Sequence, residues 1–176
     1  MQLNILGICG SATKDSSNEL ILKTIQELYS DELNLTIVNN LEDLPHFQTE
    51  LTSIGTPETV VKFREQIQIA DGVIISSPEY VFSIPSRLKN ALEWCVSTTV
   101  FTDKPTAIIT ASASGIKGHE ELQMIMQTIQ AKLDSSTCLL IQGIKGKISS
   151  EGQISESVLG QLKKKVDEFR NYINSI

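Results

Sequence analysis

GVIISSPEYVFSIPSRLKNALEW, residues Gly72 to Trp94, decides the fold. Gly72 to Ser77 is a short apolar run rich in β-branched residues, which reads as a strand buried on both faces. Pro78 to Ser83 breaks the pattern. Pro85 then stands where a helix opens, since proline is at home at a first helical position. Leu88, Ala91 and Leu92 follow at helical spacing and predict a helix over Pro85–Val96. Strand, irregular loop and helix in that order put Pro78–Ser83 at the carboxyl end of a strand, where open α/β sheets bind ligands.

The same unit recurs on both sides of this stretch. Leu3–Cys9 is a strand that ends in Gly10-Ser11, and Asn18–Tyr29 has Leu20, Ile21, Ile25 and Leu28 at helical spacing. Leu35–Val38 is a short strand. A long connection, Asn39–Pro57, leads to a helix that places Thr56 as N-cap, Pro57 at the first position, and Val60, Phe63 and Ile67 inward. Ala107–Ala111 is the fourth strand, and the small polar loop Ser112–Gly118 follows it. The next helix carries Leu122, Ile125, Met126, Ile129 and Leu133 on one face. Cys138–Ile141 is the fifth strand, and Val158–Ile173 closes the chain as a helix with Leu162, Val166, Phe169 and Ile173 inward.

Alternating strands and helices predict one α/β domain over residues 1–176, with a five-stranded parallel sheet covered on both faces. The economical strand order is 2-1-3-4-5, which sets strands one, three and four side by side. Their loops, the ones rich in Ser, Gly or Pro, then converge on one crevice, while the ends of strands two and five look less specialised.

Composition narrows the function classes. A net charge of −6 argues against a non-specific nucleic-acid binder. No apolar run is long enough to span a bilayer, and the N-terminus lacks the basic residues and cleavage site of a signal peptide. A cytoplasmic protein without membrane or nucleic-acid partners is the expectation. Three cysteines with no CxxC pair indicate neither a disulfide framework nor a zinc site. His46 and His119 have no metal-ligand spacing, so no metal is expected. Cys9 reads as a small apolar residue, and Ser76-Ser77 lacks a GxSxG frame. Lys163-Lys164-Lys165 reads as a solvated helix face.

Gly10–Asn18 (GSATKDSSN) offers hydroxyls and the amides of a helix N-terminus, the donors that a phosphate monoester needs. It has neither a GxxxxGK(S/T) nor a GxGxxG pattern, which disfavours ATP and classical dinucleotide binding. Ser16 or Ser17 also fits a plain helix cap.

Pro78-Glu79-Tyr80, Ser83-Ile84-Pro85, Leu88-Lys89-Asn90-Ala91 and Trp94 resemble the NADPH-dependent FMN reductase family, which reads PEYNxSxPGxLKNAIDW at this place. Gly10, Ser11, Ser16 and Asn18 are similar to its GSxRxxSxN loop, Ala111–Gly118 (ASASGIKG) to its third, glycine-rich loop, and Lys147–Gln153 to its final loop. The resemblance covers essentially the whole chain.

It implies a flavodoxin-like three-layer fold, bound FMN, and NADPH or NADH as co-substrate. A small-molecule acceptor (a flavin, quinone, azo compound or metal oxyanion) would be reduced in a ping-pong cycle. By position, Ser11, Thr13, Ser16, Ser17 and Asn18 would hold the phosphate. Pro78, Glu79, Tyr80, Val81 and Phe82 would line the flavin ring. Ser112, Ser114 and Gly115 would flank its pyrimidine edge. No catalytic side chain is nominated, because the flavin carries the redox chemistry. The family commonly forms a dimer through the Pro85–Val96 helix and the next, so a homodimer or homotetramer is the expectation.

The chain departs from the pattern at Thr13 (Arg in the family), Val81 (Asn) and Ser86 (Gly), and carries Phe82 where a small or polar residue is usual. Lys14 is the first loop's candidate for compensating the lost guanidinium. Two further readings stand beside the reductase: an FMN-binding electron carrier, and, from these departures, a family member that binds FMN weakly.

Overall fold

Every pair of neighbouring strands runs parallel, so each connection has to cross over the sheet through a helix. The structure, a computed structural model, describes residues 2–52 and 54–176. In chain order the elements are β1 (Leu3–Cys9), α1 (Ser17–Leu28), β2 (Leu33–Val38), α2 (Glu58–Ile69), β3 (Gly72–Ser77), α3 (Ser86–Glu93), β4 (Pro105–Ser112), α4 (Ile116–Thr128), β5 (Lys132–Gln142) and α5 (Glu156–Asn174). The sheet order is β2-β1-β3-β4-β5, the flavodoxin-like arrangement.

Strand side chains alternate between two buried layers. Leu6, Ile8, Val73, Ile75 and Ile108 pack under α2, α3 and α4, against Phe63, Leu88, Leu122 and Met126. Ile5, Ile74, Ile109 and Ile141 pack on the opposite face under α1 and α5, against Ile25, Leu162 and Phe169. Burial on both faces explains why β3 reads as an unbroken apolar run: all six of its residues are buried.

The two halves of the opening stretch have separate tasks. Trp94 is fully buried and donates Nε1 to the Pro45 carbonyl at 2.7 Å, with Phe47 edge-on to its ring. Asn90 accepts from the Phe47 amide at 2.8 Å and donates to the Pro45 carbonyl at 3.0 Å. These two side chains fasten the β2–α2 connection to α3. Arg64 on α2 donates to the Trp94 carbonyl and so satisfies the end of α3.

Several boundaries differ from expectation, each for a local reason. β2 begins at Leu33. Pro57 is the cap of α2 rather than its first residue, because the Thr56 hydroxyl turns back to the Leu51 carbonyl at 2.8 Å. Pro85 likewise caps α3, which ends at Glu93. α4 starts at Ile116, taking in the last three residues of the expected loop, and stops at Thr128, so Leu133 belongs to β5 and not to the helical face. β5 starts early because its register slips: Thr106 pairs with Leu133 but Ile108 pairs with Cys138. The polar residues Asp134–Thr137 bulge out between them, and the Thr137 hydroxyl donates to the Thr106 carbonyl at 3.1 Å. Lys165 is the exception on the expected solvated face: it donates to the Ser136 carbonyl at 2.6 Å and pairs with Glu168.

One buried polar side chain joins α1 to the sheet. Asn18 donates Nδ2 to the Ala111 carbonyl of β4 at 3.0 Å and accepts from the Ser76 hydroxyl of β3 at 3.0 Å. Both residues are buried, so truncation strands their polar groups away from water. Asn18→Ala is expected to lower stability by about 2 kcal/mol or more. Urea unfolding would read this as a lower midpoint at an unchanged slope.

Candidate functional site

A cleft of about 520 Å³ opens at the carboxyl edge of the sheet, within the size range of small-molecule sites. Three walls were anticipated. Ser11, Thr13, Ser17 and Asn18 come from the β1–α1 loop and the start of α1, Pro78 and Tyr80 from the β3–α3 loop, and Ser112 from the end of β4. The fourth wall was missed: Gly143–Gly146, after β5, also lines the cleft. The signal for it was Gln142-Gly143-Ile144-Lys145-Gly146-Lys147, a glycine-spaced, lysine-bearing turn directly after a strand.

The first loop presents donors at a helix start. Ser16 is the N-cap of α1, its hydroxyl accepting from the Glu19 amide at 3.2 Å. That cap and the Leu20 amide's bond to the Ser16 carbonyl satisfy two of the helix's first amides. Among the described residues the Ser17 and Asn18 amides and the Ser17 hydroxyl have no partner, and both residues line the cleft at the positive end of the helix dipole, which favours an anion. Ser16 and the Asn18 side chain are already engaged by the protein, as cap and as staple. Gly10 lets this loop lie against β3: a Cβ there would meet the Ser77 Oγ at 2.6 Å and Leu88 at 2.8 Å.

The second loop is a hairpin. The Tyr80 amide donates to the Ser83 carbonyl at 2.8 Å, and the Ser83 amide to the Tyr80 carbonyl at 3.0 Å. Between them Val81 and Phe82 both have positive φ, 52° and 58°, the backbone of a type I′ turn. Glycine and asparagine suit such a turn, whereas a β-branched valine is strained there. The turn holds Val81 at 95% and Phe82 at 76% exposure, beyond the cleft wall. Tyr80 reaches back toward the first loop, its hydroxyl 3.3 Å from both the Ser11 and the Thr13 hydroxyls.

Two carboxylates clamp the hairpin to α4. Glu79 accepts from the Gly118 amide at 2.9 Å, and Glu121 accepts from the Ile84 amide at 3.2 Å. Glu79 thereby caps α4 from another loop, while its carbonyl accepts from the Ser112 hydroxyl at 3.4 Å. Of the third-loop residues, Ser112 and Ala113 line the cleft, whereas Ser114 is exposed and Gly115 is buried as the left-handed cap of α4 at φ 85°. Glu79, Val81, Phe82, Ser114 and Gly115 thus stand outside the wall that the other expected residues share. His46 lies in a separate groove beside α3.

His119, one turn into α4, sits 2.7 Å from the Thr110 hydroxyl. Burial pushes its pKa below the ordinary histidine value. The folded state therefore binds fewer protons than the unfolded chain once pH falls below about 6.5. The stability linked to His119 is expected to be complete above that pH and to fall as pH drops toward the folded value. Denaturation midpoints of His119→Gln should show a shallower loss over this range. At the hairpin tip, Val81→Asn should relieve strain and raise stability by about 1 kcal/mol, roughly 3 °C in Tm, read by calorimetry.

The profile of the NADPH-dependent FMN reductases matches residues 3–146. Curated relatives include the NADH:(hydroxy)cinnamate reductase subunit CrdA of Vibrio ruber, 32% identical over 174 residues that cover 95% of this chain and 85% of that protein. A quinone reductase of Escherichia coli is 30% identical over 139 residues, 76% of this chain and 72% of that protein. Among solved structures, FerB of Paracoccus denitrificans, a flavoenzyme NAD(P)H:(acceptor) oxidoreductase, superposes with a TM-score of 0.85 at 25% identity, covering 98% of each chain. With a matching profile over most of its length and the family's fold, the chain belongs to the NADPH-dependent FMN reductase family and is a flavin-dependent oxidoreductase.

Proposed function

We propose that the chain acts as one FMN-binding domain that takes reducing equivalents from NADPH or NADH and delivers them to a small planar acceptor of the quinone class, in two successive half-reactions at one site. The observation that carries this reading is the convergence of the β1, β3 and β4 loops on a cleft whose far end is a helix N-terminus with free amides. The residues present fit FMN. The Ser17 and Asn18 amides with the Ser11, Thr13 and Ser17 hydroxyls would hold its phosphate, and Pro78, Tyr80 and Ser112 would lie along its ring.

When bound, FMN supplies the two-electron chemistry, accepting from nicotinamide and passing on to the acceptor. The chain's own part is to bind and orient. Tyr80 spans the cleft between the first two loops. Glu79 and Glu121 fix the hairpin by accepting backbone amides. Val81 and Phe82 form an apolar tip beside the cleft mouth, which favours a flat apolar acceptor. The quinone reductase and hydroxycinnamate reductase names of two relatives support an acceptor of this kind. The long apolar helix that a membrane anchor needs is absent among the described residues. We assign the working location as the cytoplasm, and the working form as a homodimer or homotetramer.

The visible spectrum before and after anaerobic addition of NADPH or NADH tests the reading. A yellow protein that bleaches rapidly and recovers its colour on adding a quinone supports it. Yellow without bleaching indicates an electron carrier instead, and no binding of added FMN overturns both. Ser17→Ala is expected to weaken FMN several-fold while leaving riboflavin affinity unchanged; an equal loss for both flavins would remove Ser17 from the phosphate site.

A further inference from the structure

Resting on the flavin reading above, we propose that Lys145 supplies the cation that holds the phosphate end of the cofactor. A phosphate monoester carries close to two negative charges at neutral pH. Amides and hydroxyls satisfy its oxygens, and the start of α1 contributes only about half an elementary charge. The first loop makes matters worse, because Asp15, in a left-handed conformation at φ 53°, puts a carboxylate on the cleft wall. The charged side chains on that wall are Asp15 and Lys145.

Lys14, the nearer candidate by sequence, does not line the cleft. It lines an adjoining hollow of about 350 Å³ that shares Ser11, Thr13 and Asp15 with the cleft, and there it has Glu19, Glu42 and Arg87 as charged neighbours. Thr13, where the family carries arginine, has its hydroxyl against Tyr80. The cation comes instead from the turn after β5.

That turn is built to hold its place. Gly143 has φ 63° and donates its amide to the Ala113 carbonyl at 3.1 Å, and the Gly146 amide closes the turn onto the Gly143 carbonyl at 3.0 Å. Ile144 is 4% exposed and belongs to the buried layer of Cys9 and Ile21, under the first loop and α1. The chain beyond it stays beside the helix start, where Ile148 and Gly152 share a hollow with Ser16 and Ser17. Lys145 is therefore an exposed residue of the cleft lining on a fixed backbone, in a segment that continues past the start of α1. A lysine acts there as a mobile point charge and needs none of the bidentate geometry of arginine.

Binding of FMN and of riboflavin to the flavin-free protein, followed by fluorescence at two salt concentrations, tests the assignment. Lys145→Gln is expected to weaken FMN about tenfold, with a flatter salt dependence and unchanged riboflavin affinity. Lys145→Arg should retain most of the FMN affinity, and Lys14→Gln should match the parent. A thermal melt of each variant checks folding. In an Asp15→Asn background Lys145→Gln should still weaken FMN. If it does not, Lys145 only neutralises Asp15 and the ligand role is overturned. Equal loss of both flavins, no loss of FMN, or a loss carried by Lys14→Gln overturns it as well. If the parent binds FMN and Lys145→Gln binds it equally well, Lys145 alone is refuted. If the parent binds neither flavin, the flavin reading itself falls.

Discussion

The site depends on the buried carboxamide of Asn18. By donating to β4 and accepting from β3 it sets the start of α1 against the carboxyl edge of the sheet, where Ser17 and Asn18 line the cleft. A helix N-terminus is an anion site only if it points at something. The Asn18 staple, the Gly10 contact with β3 and the Ser16 cap together set that direction. The Asn18 carboxamide is thus engaged by the sheet, as the scaffold of the phosphate site proposed above.

A second constraint governs the other end of the cleft. The Glu79 carboxylate holds the Gly118 amide, and the packing there is tight: a Cβ on Gly118 would lie 3.1 Å from the Glu79 Cβ and 3.3 Å from the Ser83 carbonyl oxygen. Helix α4 and the hairpin are thereby locked as one piece. His119 adjoins this lock with its pKa lowered by burial, so its protonation in acid acts on the region where α4 meets the hairpin.

Much of this was legible in the sequence because apolar burial is periodic. β3, with both faces covered, gave an unbroken run; α1 and α5 gave helical stripes; and the loops of β1, β3 and β4 stood out by composition. β5 was under-read because a bulge of Asp, Ser, Ser and Thr interrupts its apolar pattern where it leaves β4. The wall it contributes, Gly143–Gly146, escaped notice for a related reason: its role comes from strand order and backbone conformation, neither of which has a periodic signature. Likewise Glu79 reads as a ring-lining residue in sequence. Only the folded arrangement brings it to the α4 amide that it caps.

The two ends of the cleft use different currencies. The end proposed above for the phosphate is the start of α1, whose first amides a helix exposes whatever its side chains are. At the hairpin tip, Val81 and Phe82 are the two positions with the least packing, yet their backbone is fixed by the paired bonds of Tyr80 and Ser83. Replacements at the tip therefore leave the cofactor end undisturbed, which makes it a natural place for members of such a lineage to diverge in acceptor while keeping one flavin.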